Sequence, residues 1–153
     1  MGLSGKVEGE VEIEASAEKF FHVFRKQIHN LPNISSERIH GAQVHEGDWE
    51  NLGSVKHWEF SIEGKRRSAK EKIEVIDDDN KTITYSLFDG EITESYKSLR
   101  CTLQVIEKEN GGIVKWTLEY EKLSENITAA SPDLYLDFAV KVTKDIDDHL
   151  LKA

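Results

Sequence analysis

Residues 112–123, GIVKWTLEYEKL, alternate between two kinds of side chain. Val114, Trp116, Leu118 and Tyr120 fall on one face of an extended chain, and the other face carries lysine, threonine and glutamate. A period of two is typical of a strand with one buried face and one face in water. The segment therefore predicts a half-buried strand whose apolar face needs a cover.

The same period governs most of the chain. It continues through ERIHGAQV (37–44), GSVKHWEFSI (53–62), RSAKEKIEVI (67–76), KTITYSLF (81–88) and SYKSLRCTLQVI (95–106). Turn residues such as Asp89-Gly90 and Asn110-Gly111-Gly112 separate these segments. Such short links favour antiparallel pairing, because parallel strands need a crossover of about a dozen residues. A first strand over 3–14 completes a seven-stranded antiparallel sheet, and the glycines on its apolar face suit a strand lying under a crossing element.

Helical spacing occurs on either side of the six later strands. Ser16 can cap a helix whose apolar stripe is Phe20, Phe21, Val23, Phe24 and Ile28, and Pro32 ends it. After Pro132, a second stripe comprises Tyr135, Phe138, Ala139, Val142 and Ile146. That helix is about 27 Å long and can cross the whole sheet.

The balance of elements predicts the architecture. One long helix and a short helical segment cannot cover a flat sheet of seven strands, so the sheet must curve strongly around the long helix. We find neither an internal repeat nor a linker in the 153 residues. The sequence therefore predicts one α+β domain over residues 1–153.

Composition narrows the function. A net charge of −9 repels phosphate backbones, so we expect no nucleic-acid partner. The chain has no apolar run of about 18 residues and no N-terminal signal core, so we expect a cytoplasmic protein without a membrane span. Cys101 is the single cysteine and excludes an internal disulfide. We interpret Lys65-Arg66-Arg67, with Lys70 and Lys72, as the solvated face of a strand.

The stretch 45–60, HEGDWENLGSVKHWEF, raises the question of phosphate binding. A phosphate loop of the P-loop type needs Gly-Lys-Ser or Gly-Lys-Thr before a helix. Here Gly47 and Gly53 enclose Asp48 and Glu50, and the next element is a strand. We predict a tight hairpin near the sheet edge.

The inward faces allow two interpretations. The aromatic residues can pack as an ordinary core, or Trp58, Tyr85, Trp116 and Tyr120 can line a ligand cavity. Periodicity does not decide between them.

Chemically active groups are sparse on these faces. The histidines form no convincing metal site, and Cys101 has no histidine in phase, so we expect an inert thiol and no metal or cofactor. Glu71 lies in phase with Ala69, Ile73 and Val75 and is the single inward carboxylate candidate. It could hold a ligand hydroxyl or act as a base, but we expect a strand-end carboxylate facing solvent.

Several segments together are similar to a known family. SAEKFFHVF, HEGDWENLGSVKHW, AKEKIEVID, ENGG and DFAVKVTKDIDDHLL resemble the major latex proteins, a plant branch of the birch pollen allergen (Bet v 1, pathogenesis-related class 10) superfamily. The resemblance covers essentially the whole chain. It implies the helix-grip (START-like) fold: a curved seven-stranded antiparallel sheet, two short helices after the first strand and a long C-terminal helix. It also implies an internal cavity that binds apolar plant metabolites.

The resemblance also implies which residues line that cavity. By position they are Phe24, Trp58, Phe60, Ile83, Tyr85, Leu87, Leu99, Cys101, Leu103, Trp116, Leu118, Tyr120, Phe138 and Val142. We therefore expect a non-catalytic carrier for a fatty acid, sterol, hormone or phenolic compound, linked to defence or stress and acting as a monomer or weak dimer. The alternative is an enzyme of the cyclase or condensing type in the same cavity.

Overall fold

The computed structural model describes residues 3–152. Its strands are β1 (Ser4–Ile13), β2 (Ile39–Glu46), β3 (Val55–Ile62), β4 (Lys65–Asp77), β5 (Thr82–Phe88), β6 (Tyr96–Glu107) and β7 (Gly112–Lys122). Its helices are α1 (Ala17–Lys26), a short 3-10 helix (Ile28–Asn30), α2 (Leu31–Ile34), α3 (Gly90–Ser95) and α4 (Pro132–Lys152). The strands form one antiparallel sheet in the order β1-β7-β6-β5-β4-β3-β2. The predicted α+β fold, a curved seven-stranded antiparallel sheet with a long C-terminal helix, is confirmed.

The sheet closes around α4 as the helical stripe predicts. Tyr135, Ala139, Val142 and Ile146 are buried, and Phe138 is half-buried. On β1, a Cβ atom added at Gly9 would lie 3.4 Å from Leu136 of α4. The crossing element expected above β1 is therefore α4 at Gly9, whereas Gly5 is covered by the side chain of Tyr120.

Two local features depart from the prediction. A bulge in β4 between Ile73 and Val75 shifts the phase, so that Val75 is 43% exposed and Ile76 pairs with Ile83. Val75 therefore does not share the inward face of Ala69 and Ile73. The second feature is α3, which occupies the position of a predicted turn and buries Ile92 to 1% exposure. A six-residue helix is too short to show helical periodicity in the sequence.

The C-terminal half of α4 is fastened to the rest of the chain by two carboxylates. Asp147 accepts hydrogen bonds from the backbone N–H groups of Glu14 and Ala15 at 3.0 and 2.9 Å. Asp145 accepts from the Ser35 hydroxyl and from Arg38 Nη1, which lies 2.6 Å away. These contacts hold the helix against the end of β1 and the start of β2.

Replacing Asp147 by alanine should remove both backbone acceptors. We expect a loss of about 1.5–3 kcal/mol of unfolding free energy, the usual worth of hydrogen bonds to a charged group. Chemical denaturation measures this loss. Asp148→Ala, a change at the exposed neighbouring position, is the control and should cost less than about 0.5 kcal/mol. Equal losses in the two variants would contradict the role of Asp147.

Candidate functional site

An internal cavity of about 130 Å³ lies between the concave face of the sheet and the helices. Its walls come from α1, the 3-10 helix, α2, α3, α4 and the six strands β2 to β7. The lining residues are Phe24, Ile28, Leu31, Ile39, Trp58, Phe60, Ala69, Glu71, Tyr85, Leu87, Ile92, Cys101, Trp116, Leu118, Tyr135, Phe138, Ala139 and Val142. Nearly all of them are apolar or aromatic. Because this space remains between them, the side chains do not fill the interior completely.

Most of the residues expected from the family resemblance lie in this wall. They are Phe24, Trp58, Phe60, Tyr85, Leu87, Cys101, Trp116, Leu118, Phe138 and Val142. Contact of any of them with a ligand stays a prediction.

Four other expected residues lie outside the cavity wall. Ile83 and Leu103 pair across β5 and β6 in the closely packed core, where α1 packs against β6. Leu99 pairs with Tyr120 across β6 and β7, and Tyr120 lies against Gly5, where an added Cβ would approach its hydroxyl to 2.5 Å. Their strand phase is inward, but the void occupies the middle of the concave face and not its ends.

A buried charge pair at the cavity wall is the feature that the sequence interpretation missed. Lys56 is 1% exposed, and its Nζ donates to the backbone oxygen of Trp49 at 3.1 Å. Nζ also lies 3.6 Å from Glu71 Oε1. The signal was available, because Lys56 is in phase with Trp58 on β3 and Glu71 with Ala69 on β4.

Glu71 faces inward, so the expectation that it faces solvent is wrong. Its side chain is 15% exposed, and its Oε1 accepts from the indole nitrogen of Trp58 at 3.3 Å. Burial raises the pKa of Glu71, against the opposing effects of Lys56 and Trp58. The antiparallel pairing of Lys56 with Glu71 puts both side chains on the concave face.

The other titratable groups of the wall are held in their neutral forms. Burial raises the pKa of the Tyr85 hydroxyl well above its usual value, and the negative charge of Glu71 adds to the effect. The same two causes raise the pKa of the Cys101 thiol. A thiol whose pKa is raised is a poor nucleophile at neutral pH.

Trp116 lines the cavity, but its indole N–H is not free to orient a ligand. Its indole nitrogen donates to the hydroxyl of Thr143 at 2.8 Å, and that hydroxyl donates to the Ala139 carbonyl at 2.8 Å. The ring edge of Trp116 also packs on Phe24. Trp116 therefore contributes apolar surface to the cavity and a hydrogen bond to α4.

A second charge pair joins β4 to α3. Arg67 pairs across the sheet with Phe60, and its Nη1 lies 2.6 Å from Glu91 Oε1 at the start of α3. Its side chain is 9% exposed. The basic run 65–67 is therefore not entirely solvated, because Arg67 points inward while Lys65 and Arg66 are exposed.

The loop of residues 47–54 is longer than the predicted tight hairpin. Asp48 Oδ1 accepts from the N–H groups of Glu50 and Asn51 at 3.0 and 2.8 Å. These bonds lower the pKa of Asp48 to about 2. The amides that would have to face a phosphate are thus bonded to a carboxylate. The loop offers no phosphate cradle.

Residues 3–152 carry neither a metal-ligand cluster nor a membrane-spanning helix. Histidine, cysteine and carboxylate side chains nowhere cluster in threes as metal ligands would. None of the helices has both the length and the apolar character of a membrane span.

Comparison with known proteins agrees with this geometry. The model of the pathogenesis-related protein Bet v 1 family matches residues 2–153. MLP-like protein 43 of Arabidopsis thaliana is 44% identical over 151 residues, which cover 97% of this chain and 94% of that protein.

Solved structures of similar fold include a major latex-like protein. The crystal structure of ginseng major latex-like protein 151 from Panax ginseng superposes with a TM-score of 0.91 at 37% identity, over 98% of this chain and 99% of that chain. Norcoclaurine synthase from Thalictrum flavum, solved with dopamine and hydroxybenzaldehyde, shares the fold at a TM-score of 0.80 and 17% identity, over 97% of this chain and 87% of that chain. Because the sequence match and the fold agree over nearly the whole length, the chain belongs to the Bet v 1 family of pathogenesis-related proteins, in its major latex protein branch.

Proposed function

We propose that the protein binds a small, largely apolar plant metabolite in the internal cavity and acts as a carrier or buffer for it, without catalysis. The observation that supports this most is a void lined almost entirely by aromatic and aliphatic side chains. Binding would be driven by removal of apolar ligand surface from water, at about 25 cal/mol per Å² before ordering costs. The expected setting is the cytoplasm, as a monomer or weak dimer, in a defence or stress response.

The cavity volume favours compact ligands. Typical ligand pockets hold about 300–1,000 Å³, whereas an apolar cavity of about 150 Å³ takes up benzene. At about 130 Å³, the cavity suits a single-ring compound such as a small phenolic. A fatty acid or sterol would need the walls to move apart.

Phe138 is a candidate for such movement. It is half-buried on α4 and lines both the cavity and an outer groove of about 280 Å³ near Arg38, Ser61 and Lys141. Rotation of its ring would join the two spaces, and the joined volume would admit a longer ligand.

A catalytic role is the second candidate. A carboxyl group in an apolar cavity with a raised pKa is suited to general acid or base work, and Glu71 meets this description. A fold shared at 17% identity does not transfer the synthase reaction. Product formation in a metabolite screen that Glu71→Gln abolishes would favour the enzyme. Binding without product would favour the carrier.

Filling the cavity should abolish binding. Ala139 lines it from α4, so Ala139→Leu places a larger side chain in the void. We expect at least a tenfold loss of affinity for the probe toluene, an uncharged single-ring compound of the size that the cavity suits, with the melting temperature unchanged or raised. NMR titration and thermal melting measure both quantities.

Lys144→Leu supplies the matched control, because it puts the same side chain on the exposed face of the same helix. Its affinity for the probe should equal that of the unmodified protein. If Ala139→Leu binds the probe as tightly as Lys144→Leu, the probe does not use the cavity and the proposal fails.

A further inference from the structure

We infer that Glu71 and Tyr85 form a subsite that anchors a hydroxyl group of the ligand, which makes the preferred ligand an uncharged alcohol or phenol and disfavours a carboxylate. The inference rests on the proposed function, because it concerns the ligand of the same cavity. It follows from the hydrogen bonds that these two side chains make, from those they leave open and from the charges around them.

Glu71 has an unused acceptor on the cavity side. Both of its polar contacts, from Trp58 Nε1 at 3.3 Å and from Lys56 Nζ at 3.6 Å, go to Oε1. Within residues 3–152, Oε2 receives no hydrogen bond. In that range, the completely enclosed side-chain atoms without a hydrogen-bond partner are Arg67 Nε and the Tyr135 hydroxyl. Oε2 is not one of them, so it is not completely enclosed. Oε2 therefore has open space beside it, and Glu71 borders the cavity.

Tyr85 brings a second open polar group close to the first. Its side chain is 3% exposed and lines the cavity. Its hydroxyl finds no hydrogen-bond partner in the described part of the chain and, like Oε2, is not among the enclosed unpaired atoms. Glu71 pairs with Leu87 and Ile73 pairs with Tyr85, so Glu71 and Tyr85 are diagonal neighbours on β4 and β5.

Lys56 is a common neighbour of the two side chains. Its Nζ lies 3.6 Å from Glu71 Oε1 and 5.9 Å from the centre of the Tyr85 ring. Nζ itself does not reach the cavity wall, since Lys56 is absent from the lining. Besides the Cys101 thiol, a weak hydrogen-bonding group, the open polar atoms of the described wall are thus a carboxylate oxygen and a phenol hydroxyl.

This pair matches the bonding needs of a hydroxyl. An alcohol or phenol O–H can donate to Glu71 Oε2 and accept from the Tyr85 hydroxyl at the same time. A ligand carboxylate has no hydrogen to donate and would place a second negative charge beside Glu71. A hydrocarbon would leave both protein groups without a partner inside an apolar cavity, which costs free energy.

Three probes of similar size test the inference: benzyl alcohol, toluene and benzoate. We would titrate each into the full chain and obtain dissociation constants from NMR shifts. We expect benzyl alcohol to bind about 3- to 10-fold tighter than toluene, the value of one net hydrogen bond. Benzoate should bind at least tenfold more weakly than benzyl alcohol.

The variants assign these differences to residues. Glu71→Gln should reduce the discrimination against benzoate at least fivefold. Glu74→Gln removes the same charge from an exposed side chain on the same strand and should leave the discrimination unchanged. Tyr85→Phe should remove most of the preference of benzyl alcohol over toluene, because it deletes the hydroxyl that donates to the alcohol and that toluene leaves without a partner. Tyr85→Phe keeps the ion pair intact, so it decides the matter even if Glu71→Gln folds poorly.

The outcomes separate the inference from the proposed function. If none of the three probes binds, the cavity does not take small apolar ligands and the proposed function fails. If toluene binds but benzyl alcohol and benzoate bind with equal affinity, the carrier function stands and the hydroxyl subsite is overturned. Equal effects of Glu71→Gln and Glu74→Gln on benzoate also overturn it.

Discussion

Lys56→Met should cost about 3–5 kcal/mol of unfolding free energy, because it removes one member of a buried ion pair and leaves the other without compensation. Lys56 is 1% exposed, so its methylene chain is buried. Methionine replaces that chain with similar volume, so the loss of the charge dominates. Urea denaturation at pH 7 measures the effect.

The double variant Lys56→Met with Glu71→Gln provides the control. It removes both charges, so we expect it to recover most of the stability that Lys56→Met loses. A loss below about 1 kcal/mol in the single variant is the cost expected at the surface, and it would mean that water or a rearrangement solvates Glu71. A double variant as unstable as the single one would show that packing, and not charge, sets the cost.

The stability that Lys56→Met loses should depend on pH in a definite direction. Burial raises the pKa of Glu71 in the folded state. A group whose pKa is higher in the folded state binds protons more tightly there. Its contribution to the unfolding free energy is therefore full below the unfolded pKa of about 4.3 and is lost as the pH rises through the folded pKa. Without Lys56 the folded pKa rises further. The deficit of Lys56→Met should therefore shrink as the pH is lowered toward the unfolded pKa of Glu71.

Gly111→Ala should cost about 3 kcal/mol or more, through backbone strain and a backbone clash together. Gly111 has a φ of +84° in the turn between β6 and β7. A Cβ atom there would lie 2.0 Å from the backbone oxygen of Ile13, where β1 ends. The atoms that this Cβ would meet belong to the backbone and cannot turn aside like the end of a side chain. The β6–β7 hairpin must therefore move away from β1. A thermal melt shows the effect as a lowered melting temperature.

Gly64→Ala isolates the strain. Gly64 has a φ of +78° in the turn between β3 and β4, and an added Cβ would meet nothing within 4 Å. The left-handed conformation alone should cost about 1–2 kcal/mol. If both alanine variants lose the same stability, the close approach at Gly111 contributes nothing.

The sheet and its helices could be predicted because their signals are periodic and repeated. Strands β3 to β7 each show the period of two over several residues, and α4 shows a stripe from Tyr135 to Ile146. In β4 the structure differs from the sequence prediction because a single bulged residue changes the pattern. The bulge beside Ile73 reverses the facing of Val75, and no residue type in the sequence marks it.

The cavity could be predicted only in part. The family resemblance implied much of the wall, but it does not tell where the void of this chain lies. Four residues were therefore included that lie outside the wall: Ile83, Leu99, Leu103 and Tyr120. Lys56 and Glu71 were overlooked as a pair because charged residues on strands usually face water. Their pairing across β3 and β4 depends on the register, which the sequence does not specify.

The proposed binding function requires a void that side chains leave between the sheet and α4. A crystal structure determined under xenon pressure tests this most directly. Xenon enters dry apolar cavities whatever their natural ligand is. We expect a xenon atom among Trp58, Tyr85, Leu118 and Phe138, which all line the cavity. A structure in which these side chains close on α4 and exclude xenon would contradict the account.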